Sequence, residues 1–237
     1  VLMLEGCVQP GLSPNTNAAT ARVLDRLGIS VTPIREAGCC GAVDYHLNAQ
    51  EAGLNRARQN IDAWWPTIEA GAEAIVQTAS GCGAFVKDYG HLLAGDPAYA
   101  AKAARVSALA KDLVEVLQSE ALEQLQVRAE QRLAFHCPCT LQHAQKLGGA
   151  VEAVLGRLGF GLTAVPDGHL CCGSAGTYSV LNPDIATTLR DRKLGHLKEL
   201  KPAVIASANI GCITHLQSGT GTPVRHWIEL LDEALHP

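Results

Sequence analysis

The chain has 237 residues, of which 47% are hydrophobic and 4% aromatic, and its formal net charge is −4 at pH 7. This length suits one large domain or two of about 120 residues, and the composition argues against disorder. The sequence has no basic run typical of nucleic-acid binding and no run of 18 apolar residues that would predict a transmembrane helix. We therefore expect a folded protein with no transmembrane segment and no nucleic-acid partner.

The start of the chain and its cysteines are typical of a cytoplasmic protein. The first residues, VLMLEGC, lack the basic start and long apolar stretch of a signal peptide. They begin inside a predicted strand without an initiator Met, so we expect the chain to be the later part of a longer protein. Nine cysteines, an odd number that includes neighbouring pairs, fit reduced thiols in the cytoplasm.

In the first half of the chain, short apolar runs alternate with longer stretches of helical periodicity. Strands are predicted at 1–5, 31–34, 74–78 and 106–108. Helices are predicted at 15–27, 50–68 and 111–117, and a short helix that ends at Tyr89 is predicted after the segment 80–83. Strands that alternate with helices predict a parallel sheet, whose functional sites lie beyond the carboxyl ends of the strands.

The second half of the chain repeats this order of elements. Strands are predicted at 133–135, 162–165, 203–206 and 224–227. Helices are predicted at 141–158, 183–200 and 228–235. The polar segment 119–131 contains no Gly or Pro and predicts a helical linker. We therefore predict an α/β protein with two tandem, pseudo-symmetric, Rossmann-like domains with small parallel sheets, at 1–118 and 132–237.

Eight of the nine cysteines form two copies of one pattern. Each copy holds a Cys-Cys-Gly triplet, with one cysteine 32 positions before it and another downstream. The first three cysteines of the two copies are 132 positions apart, and the last are 130 apart. The first copy comprises Cys7, Cys39, Cys40 and Cys82, and the second comprises Cys139, Cys171, Cys172 and Cys212.

Each position of this pattern follows a predicted strand, so we expect four thiols to gather at one sheet edge in each half. Thiolates bind soft or borderline metals, including iron–sulfur clusters and zinc. Adjacent cysteines reach one compact ion only under strain, whereas a multi-iron cluster offers several attachment points. An iron–sulfur cluster is therefore favoured in each half, and [4Fe–4S] is the preferred type. Zinc in one or both halves, or a redox-active cysteine pair, is the alternative.

Glycines adjoin these cysteines in both copies. We expect them to let the backbone pass close to a cluster and to direct N–H groups at its sulfurs. They are Gly41, Gly81, Gly173 and Gly211.

Three further residues lie near the second copy. Cys137 has no cysteine counterpart in the first half, where Glu5 matches it, and is an extra ligand or, as we prefer, a buried thiol. His136 and His143 flank the same site and could ligate a metal or donate to a cluster sulfur. A partly buried or solvent-facing histidine is commoner, and that is our expectation for both.

The pattern Cys-x31-Cys-Cys-Gly with a downstream cysteine resembles the cysteine-rich CCG domain. That domain occurs twice in one of the subunits of heterodisulfide reductase and in the iron–sulfur subunits of glycolate oxidase, anaerobic glycerol-3-phosphate dehydrogenase and lactate-utilisation proteins. The similarity is greatest to the glycolate oxidase iron–sulfur subunits. It rests on the segments LEGCVQPGLSPNTNAATARVLDRLGI, EAGCCGAVDYHL, ASGCGAFVKDYGHLL, HCPCTLQH and LCCGSAGTYS.

This resemblance implies a role in electron transfer. Flavin-binding glycolate oxidase subunits would oxidise glycolate to glyoxylate, and iron–sulfur clusters would pass the electrons toward a quinone-type acceptor. It also implies an N-terminal ferredoxin-like region of the same full-length chain, with two CxxCxxCxxxCP motifs. The complex is expected in the cytoplasm, with peripheral association at the inner face of the cell membrane.

The chain departs from the heterodisulfide reductase pattern at two positions. There the motif ends in CxxC and supplies five cysteines to a noncubane cluster, whereas Ala79 and Asn209 stand at the matching positions here. Each half thus offers four cysteines. The alternatives are a zinc-binding or metal-free docking module, a subunit of a related lactate or glycerol-3-phosphate dehydrogenase, and a disulfide-reducing thiol enzyme.

Overall fold

The chain folds into two compact units, 1–116 and 117–237, and a computed structural model describes residues 1–235. Each unit holds one sheet of four parallel strands accompanied by helices. The predicted α/β class with two small parallel sheets in tandem is confirmed. The last two residues of the predicted second domain, 236–237, lie outside the described residues.

The sheet of the first unit is assembled from short strands. They are β1 (Leu2–Met3), β2 (Thr32–Pro33), β3 (Ile75–Gln77) and β4 (Ala110–Asp112). The helices are α1 (Gln9–Leu12), α2 (Asn15–Arg26), α3 (Ala42–His46), α4 (Gln50–Glu69), α5 (Ser80–Lys87), α6 (Tyr89–Leu92), α7 (Ala100–Leu109) and α8 (Leu113–Gln118). The strand order is β2-β1-β3-β4, so that Leu2 pairs with Thr32 on one side and Ile75 on the other.

The second unit repeats this topology. Its strands are β5 (Arg132–His136), β6 (Gly161–Thr163), β7 (Val204–Ser207) and β8 (Val224–His226). Its helices are α9 (Ala150–Arg157), α10 (Tyr178–Leu181), α11 (Pro183–Lys198), α12 (Ile210–Gln217) and α13 (Trp227–Ala234). The strand order is β6-β5-β7-β8. The central strand β5 thus lies between β6 and β7, as β1 lies between β2 and β3.

Buried strands and amphipathic helices form the core of each unit. Every residue of β3 and of β7 is buried, as expected when helices cover both faces of a parallel sheet. In α4, Ala57, Ile61 and Trp64 are fully buried at intervals of three to four residues, which is one face of a helix. Among residues 1–235, no helix combines the length and the apolar character needed to cross a bilayer.

The predicted strand at 106–108 is wrong, because these residues belong to α7 and the strand is β4, directly after it. Ala103, Val106 and Leu109 are buried at intervals of three residues, which is helical spacing. A three-residue apolar run alone does not distinguish a helix from a strand.

The predicted helix at 141–158 is interrupted. Thr140–Ala144 forms a single π-helical turn, and regular helix begins only with α9. Lys146 and Gly149 have φ angles of +59° and +82°, which a right-handed helix does not accommodate. The break therefore separates the turn after β5 from the helix that packs on the sheet.

The linker 119–131 is not a helix. It contains one 3₁₀ turn, Leu122–Gln124, and is otherwise irregular. Leu122 and Leu125 are buried, and the N–H of Arg128 donates to the carbonyl of Ala234 at 3.0 Å. Contacts with the rest of the second unit therefore replace the hydrogen bonds that an isolated helix would make within itself.

Candidate metal centres

The thiols of the first pattern lie beyond the carboxyl ends of three neighbouring strands. Cys7 follows β1, Cys39 and Cys40 follow β2, and Cys82 lies in the first turn of α5, after β3. Because β1 lies between β2 and β3, the loops that carry these thiols are adjacent. The sheet order thus gathers residues that are up to 75 positions apart in sequence.

These four thiols form a chain of contacts that runs from Cys7 through Cys39 and Cys40 to Cys82. Hydrogen bonds from the thiols of Cys40 and Cys7 hold the pKa of Cys39 far below its ordinary value. A hydrogen bond from Cys40 likewise lowers the pKa of Cys82. The pKa values of Cys7 and Cys40 are raised, because the hydrogen bonds they donate, together with burial, favour the protonated thiol. Binding of a metal would displace the protons that these two thiols retain.

The second pattern has the same arrangement. Cys139 follows β5, Cys171 and Cys172 follow β6, and Cys212 lies in the first turn of α12, after β7. Hydrogen bonds from Cys139 and Cys172 lower the pKa of Cys171, and one from Cys172 lowers that of Cys212. The pKa values of Cys139 and Cys172 are raised for the same reason as in the first unit. The two groups of sulfurs correspond thiol by thiol.

The glycine of each Cys-Cys-Gly triplet has a left-handed backbone. Gly41 has φ +94° and Gly173 has φ +89°. The N–H of Gly41 donates to the Sγ of Cys39 at 3.5 Å, and that of Gly173 to the Sγ of Cys171 at 3.3 Å. These glycines therefore hold a backbone donor against one sulfur of each group.

The same glycines also lie close to a helix. A Cβ atom at Gly41 would lie 2.4 Å from the carbonyl oxygen of Gly53 in α4. At Gly173 it would lie 2.4 Å from the carbonyl oxygen of Ala186 in α11. A side chain at either position would thus push the thiol-bearing loop away from its helix.

Gly81 and Gly211 lie in the first turns of α5 and α12. The structure gives Gly211 a different partner from the cluster sulfur expected from the sequence. Its N–H donates to Oδ1 of Asn209 at 2.9 Å, and the same oxygen accepts from the N–H of Cys212 at 3.4 Å. Asn209 thus caps α12 and fixes the turn that carries Cys212.

Polar residues buried in the first unit hold the Cys-Cys loop. Asn60 in α4 accepts from the N–H of Gly38 at 2.9 Å and donates to the carbonyl of Cys39 at 3.0 Å. Its amide also donates to the hydroxyl of Tyr89 at 3.2 Å, and this hydroxyl donates to the carbonyl of Cys40 at 2.6 Å. Both carbonyls of the cysteine pair are therefore fixed by side chains from helices.

In the second unit a buried lysine faces the corresponding loop. Lys193 in α11 is fully buried, and its Nζ donates to the carbonyl of Gly168 at 2.9 Å and to that of Asp167 at 3.4 Å. Burial lowers its pKa, and the nearby thiols Cys139 and Cys172 oppose this shift. The second group of sulfurs thus has a cation in its surroundings.

His136, at the end of β5, is also buried beside the second group. It is 0% exposed, so the expectation of a partly buried or solvent-facing side chain is wrong for His136, and its neighbours are thiols. Its ligand nitrogen and the sulfurs of Cys172 and Cys212 all lie within 4.8 Å of one another. Within residues 1–235, neither ring nitrogen has a hydrogen-bond partner of normal geometry, but the ring interacts with the thiol of Cys212 and, after Cys172, contributes to the lowered pKa of that thiol.

The other two residues singled out near this site have different surroundings. His143 is exposed to solvent. Cys137 is buried and lines a cavity of about 590 Å³ together with Phe135 and Glu152. Burial raises the pKa of Glu152.

The donor chemistry of both units fits a soft or borderline metal group. Four sulfurs converge in each unit, and thiolates are the usual ligands of iron–sulfur clusters and of structural zinc. Two of the four thiols in each group are already held toward the thiolate form by their neighbours. The residues that would hold the group are Cys7, Cys39, Cys40 and Cys82 in the first unit and Cys139, Cys171, Cys172 and Cys212 in the second.

Comparison with protein families also finds two copies of one domain, in agreement with the repeated four-cysteine pattern. The CCG family, described as a cysteine-rich domain, matches residues 1–87 and 133–217. The chain belongs to this family. Each matched segment contains one complete four-cysteine pattern. The CCG domain therefore occurs twice in the chain, once in each unit.

Comparison with individual proteins shows which members of the family the chain resembles. The chain is 71% identical over 235 residues to the glycolate oxidase iron–sulfur subunit of Escherichia coli K12, covering 99% of the chain and 58% of that protein. It is 29% identical to the probable glycolate oxidase iron–sulfur subunit of Bacillus subtilis 168, covering 92% of the chain and 49% of that protein. It is 30% identical to lactate utilization protein A of Geobacillus kaustophilus, covering 90% of each.

The resemblance to glycolate oxidase iron–sulfur subunits inferred from the sequence is thus confirmed. The chain spans about half to three-fifths of the length of the two glycolate oxidase relatives, which are covered to 58% and 49%.

Sequence reasoning did not find Asn60, Tyr89 or Lys193. The sequence feature that could have indicated such residues is a polar residue within the apolar stripe of a predicted helix. Asn60 lies between Ala57 and Ile61 on the core face of α4. A polar side chain in such a stripe needs a partner, and here the partner is the thiol-bearing loop.

Proposed function

We propose that the chain is the electron-transferring part of a glycolate oxidase-type complex, with one iron–sulfur cluster in each of the domains 1–118 and 132–237. The observation that carries this proposal is the convergence of four thiols, twice, in a chain 71% identical to a glycolate oxidase iron–sulfur subunit. An iron–sulfur cluster, when bound, takes up and releases single electrons. We propose the [4Fe–4S] type for both domains.

The residues of the chain would hold and tune these groups. The eight thiolates are the proposed ligands, and the N–H groups of Gly41 and Gly173 donate to sulfur. Hydrogen bonds and positive charge near cluster sulfurs stabilise the reduced, more negative state. Lys193 supplies such a charge in the second unit, whereas Asn60 supplies neutral hydrogen bonds in the first.

We further propose the setting of this activity. Flavin-binding subunits oxidise glycolate to glyoxylate, and their electrons reach this chain and a ferredoxin-like region of the same full-length protein. A quinone-type compound accepts the electrons, with the complex in the cytoplasm at the inner face of the cell membrane. The 71% identity to a glycolate oxidase iron–sulfur subunit, against 30% to a lactate utilization protein, supports this assignment over a subunit of a lactate dehydrogenase.

A second candidate is a docking module that holds zinc in the second unit. The observation in its favour is the compact set of His136, Cys172 and Cys212, because zinc is commonly bound by imidazole and thiolate together.

Metal analysis distinguishes the two candidates. The chain is purified without oxygen, its iron, acid-labile sulfide and zinc are measured, and EPR spectra are recorded after reduction. Electron transfer predicts iron and sulfide in both units, with a signal that appears or changes on reduction. Zinc without iron or sulfide would contradict the electron-transfer proposal for this chain and favour the docking module.

Substitution of one thiol in each unit tests the ligands. We expect Cys40→Ser to lose the metal of the first unit only, and Cys172→Ser that of the second only, because each thiol contacts two others of its own group. Cys137→Ser is the control, since Cys137 lines a cavity outside the four-thiol pattern. Unchanged metal content in either ligand variant, measured by iron and sulfide analysis, would show that the assigned thiol is not a ligand.

A further inference from the structure

The second unit contains a fully buried histidine ring beside its group of thiols. His136 is the last residue of β5, and its backbone is fixed by pairing with Ser207 of β7. The hydroxyl of Ser207 donates to the carbonyl of His136 at 3.0 Å. The strand therefore determines where the ring lies, at the edge of the sheet where the thiols gather.

The surroundings of this ring point to a ligand. The side chain is 0% exposed, and within residues 1–235 both Nδ1 and Nε2 lack a hydrogen-bond partner of normal geometry. Buried polar groups are nearly always satisfied, and the group with which this ring interacts is the thiol of Cys212, which is itself a proposed metal ligand. The sulfurs of Cys172 and Cys212 lie within 4.8 Å of its ligand nitrogen.

This geometry is close to that of a shared metal site. A thiolate sulfur and an imidazole nitrogen bound to one tetrahedral zinc ion are about 3.6 Å apart, given the usual bond lengths. The three donor atoms lie within 4.8 Å of one another, so a movement of about 1 Å brings them to that separation. All three residues are buried, which places them on the inner side of the group of sulfurs.

The first unit provides an internal comparison. The repeat of 132 positions places Leu4 opposite His136. Leu4 is 3% exposed and part of the hydrophobic core. The fold of this domain therefore accepts an apolar side chain at this position, and the histidine is not required for packing.

We propose that His136 is a nitrogen ligand of the second metal centre, together with Cys172 and Cys212, so that the two centres of the chain differ in their ligands. The first centre is bound by thiolates alone, and the second by an imidazole and thiolates. This inference rests on the proposed presence of a metal group at the thiols, and it holds for an iron–sulfur cluster and for zinc. Imidazole is a common ligand of both metals.

The first test uses the whole chain reconstituted with iron and sulfide without oxygen and then reduced. The protein is prepared with ¹⁴N-histidine and with ¹⁵N-histidine, and pulsed EPR records the nitrogen hyperfine couplings. We expect a coupling that changes with the isotope, is lost in His136→Leu and is retained in His143→Ala. No histidine coupling in the wild-type chain, or a coupling that persists in His136→Leu, would overturn the assignment.

The second test does not depend on an iron–sulfur cluster. Cobalt(II) alone is added to the reduced, metal-free chain, and its visible spectrum reports the ligands of each bound ion. We expect His136→Leu to change the spectrum of one of two sites and to weaken its affinity about tenfold or more, and His143→Ala to match the wild type. Identical titrations of the wild type and His136→Leu would overturn the inference. Failure to take up iron and sulfide would instead count against the proposed function alone.

Stability of the variants is controlled in two ways. His136→Leu introduces the residue found at the matching position of the first unit, and we expect its circular dichroism to match that of the wild type. His136→Cys keeps a donor, and we expect it to bind cobalt with an all-thiolate spectrum. If His136→Cys bound cobalt with the wild-type spectrum, the ring would not be a ligand.

Discussion

The two units share one topology and one arrangement of thiols, but they differ in what surrounds the thiols. In both, the cysteines follow the three neighbouring strands on one side of the sheet. Yet the second unit places the buried imidazole of His136 where the first has Leu4. The repeated fold thus accounts for where the sulfurs lie, whereas the residues between the cysteines determine their electrostatic environment.

A second pair of positions shows the same divergence. Gly53 and Ala186 correspond, because each offers the carbonyl that closely faces the glycine of the Cys-Cys-Gly triplet. Asn60 and Lys193 each lie seven residues further along the helix, and both are buried. One neutral amide and one amine therefore occupy equivalent places beside two equivalent groups of thiols. If both units bind the same kind of cluster, the second should be the easier to reduce.

The largest effect is expected from the feature that the two units share most closely. Gly41→Ala and Gly173→Ala should each destabilise their own unit by about 3 kcal/mol or more, because the left-handed φ and the clash with a helix carbonyl add together. Urea unfolding of the metal-free chain measures the loss. Hydrogen–deuterium exchange then shows which unit opens.

Gly71→Ala and Gly159→Ala are the matched controls for this prediction. Their φ angles are +103° and +84°, but in the part of the chain that the structure describes no neighbouring atom would lie within 4 Å of the added Cβ. They should cost about 1–2 kcal/mol, from the backbone conformation alone. If the Gly41 and Gly71 variants, or the Gly173 and Gly159 variants, lost equal amounts of unfolding free energy, close packing against the helix would not explain why glycine is needed in the thiol-bearing loop.

An intermediate effect is expected from the charge that distinguishes the second unit. Burial lowers the pKa of Lys193 below its ordinary value of 10.5. The unfolded chain therefore binds more protons than the folded chain in the pH range just below 10.5, so Lys193 makes stability rise with pH there. In the metal-free chain, Lys193→Met should remove this rise, which amounts to at most about 1.4 kcal/mol per pH unit.

This prediction is measured as the difference in unfolding free energy between the wild type and Lys193→Met, from neutral pH to pH 10.5. Taking the difference cancels much of the titration of the thiols, which both proteins share. Lys198→Met, at an exposed position of the same helix, is the control and should follow the wild type. A difference that does not vary with pH would show that Lys193 is charged as readily in the folded as in the unfolded chain.

Much of this arrangement could be predicted from the sequence. Strands that alternate with helices predicted the parallel sheets, and the position of each cysteine after a strand predicted where the thiols meet. These features are local patterns combined with one general rule of α/β folds. The predicted strand at 106–108 is wrong because three apolar residues do not define a period. The predicted helix at 141–158 is wrong because Lys146 and Gly149 adopt positive φ angles that interrupt it.

The surroundings of the thiols could not be predicted in this way. Asn60 and Lys193 lie on helices more than 20 positions from the loop residues that they contact. Which loop carbonyl a buried amide or amine reaches depends on how the helix packs, and no local pattern records that. Similarly, His136 was expected to be a partly buried or solvent-facing histidine, because its burial beside the thiols of Cys172 and Cys212 is visible only in three dimensions.

The smallest predicted effect concerns the two helices that carry the last cysteine of each group. Asn209 caps α12, whereas Ala79, at the matching position before α5, has no side chain that can accept a hydrogen bond. Asn209→Ala should therefore destabilise the second unit by about 1 kcal/mol, and Ala79→Asn should stabilise the first by a similar amount. The backbone at Ala79 is already extended, with φ −111° and ψ 109°, as an N-cap requires.

Urea unfolding of both single variants and of the double variant tests this exchange. Because the substitutions lie in different units, each should change the stability of its own unit in the double variant by the same amount as in the single variant. If Ala79→Asn brings no gain, the first turn of α5 does not depend on a side-chain cap. The presence of a side-chain cap on α12 and its absence on α5 would then have no effect on how firmly Cys82 and Cys212 are held.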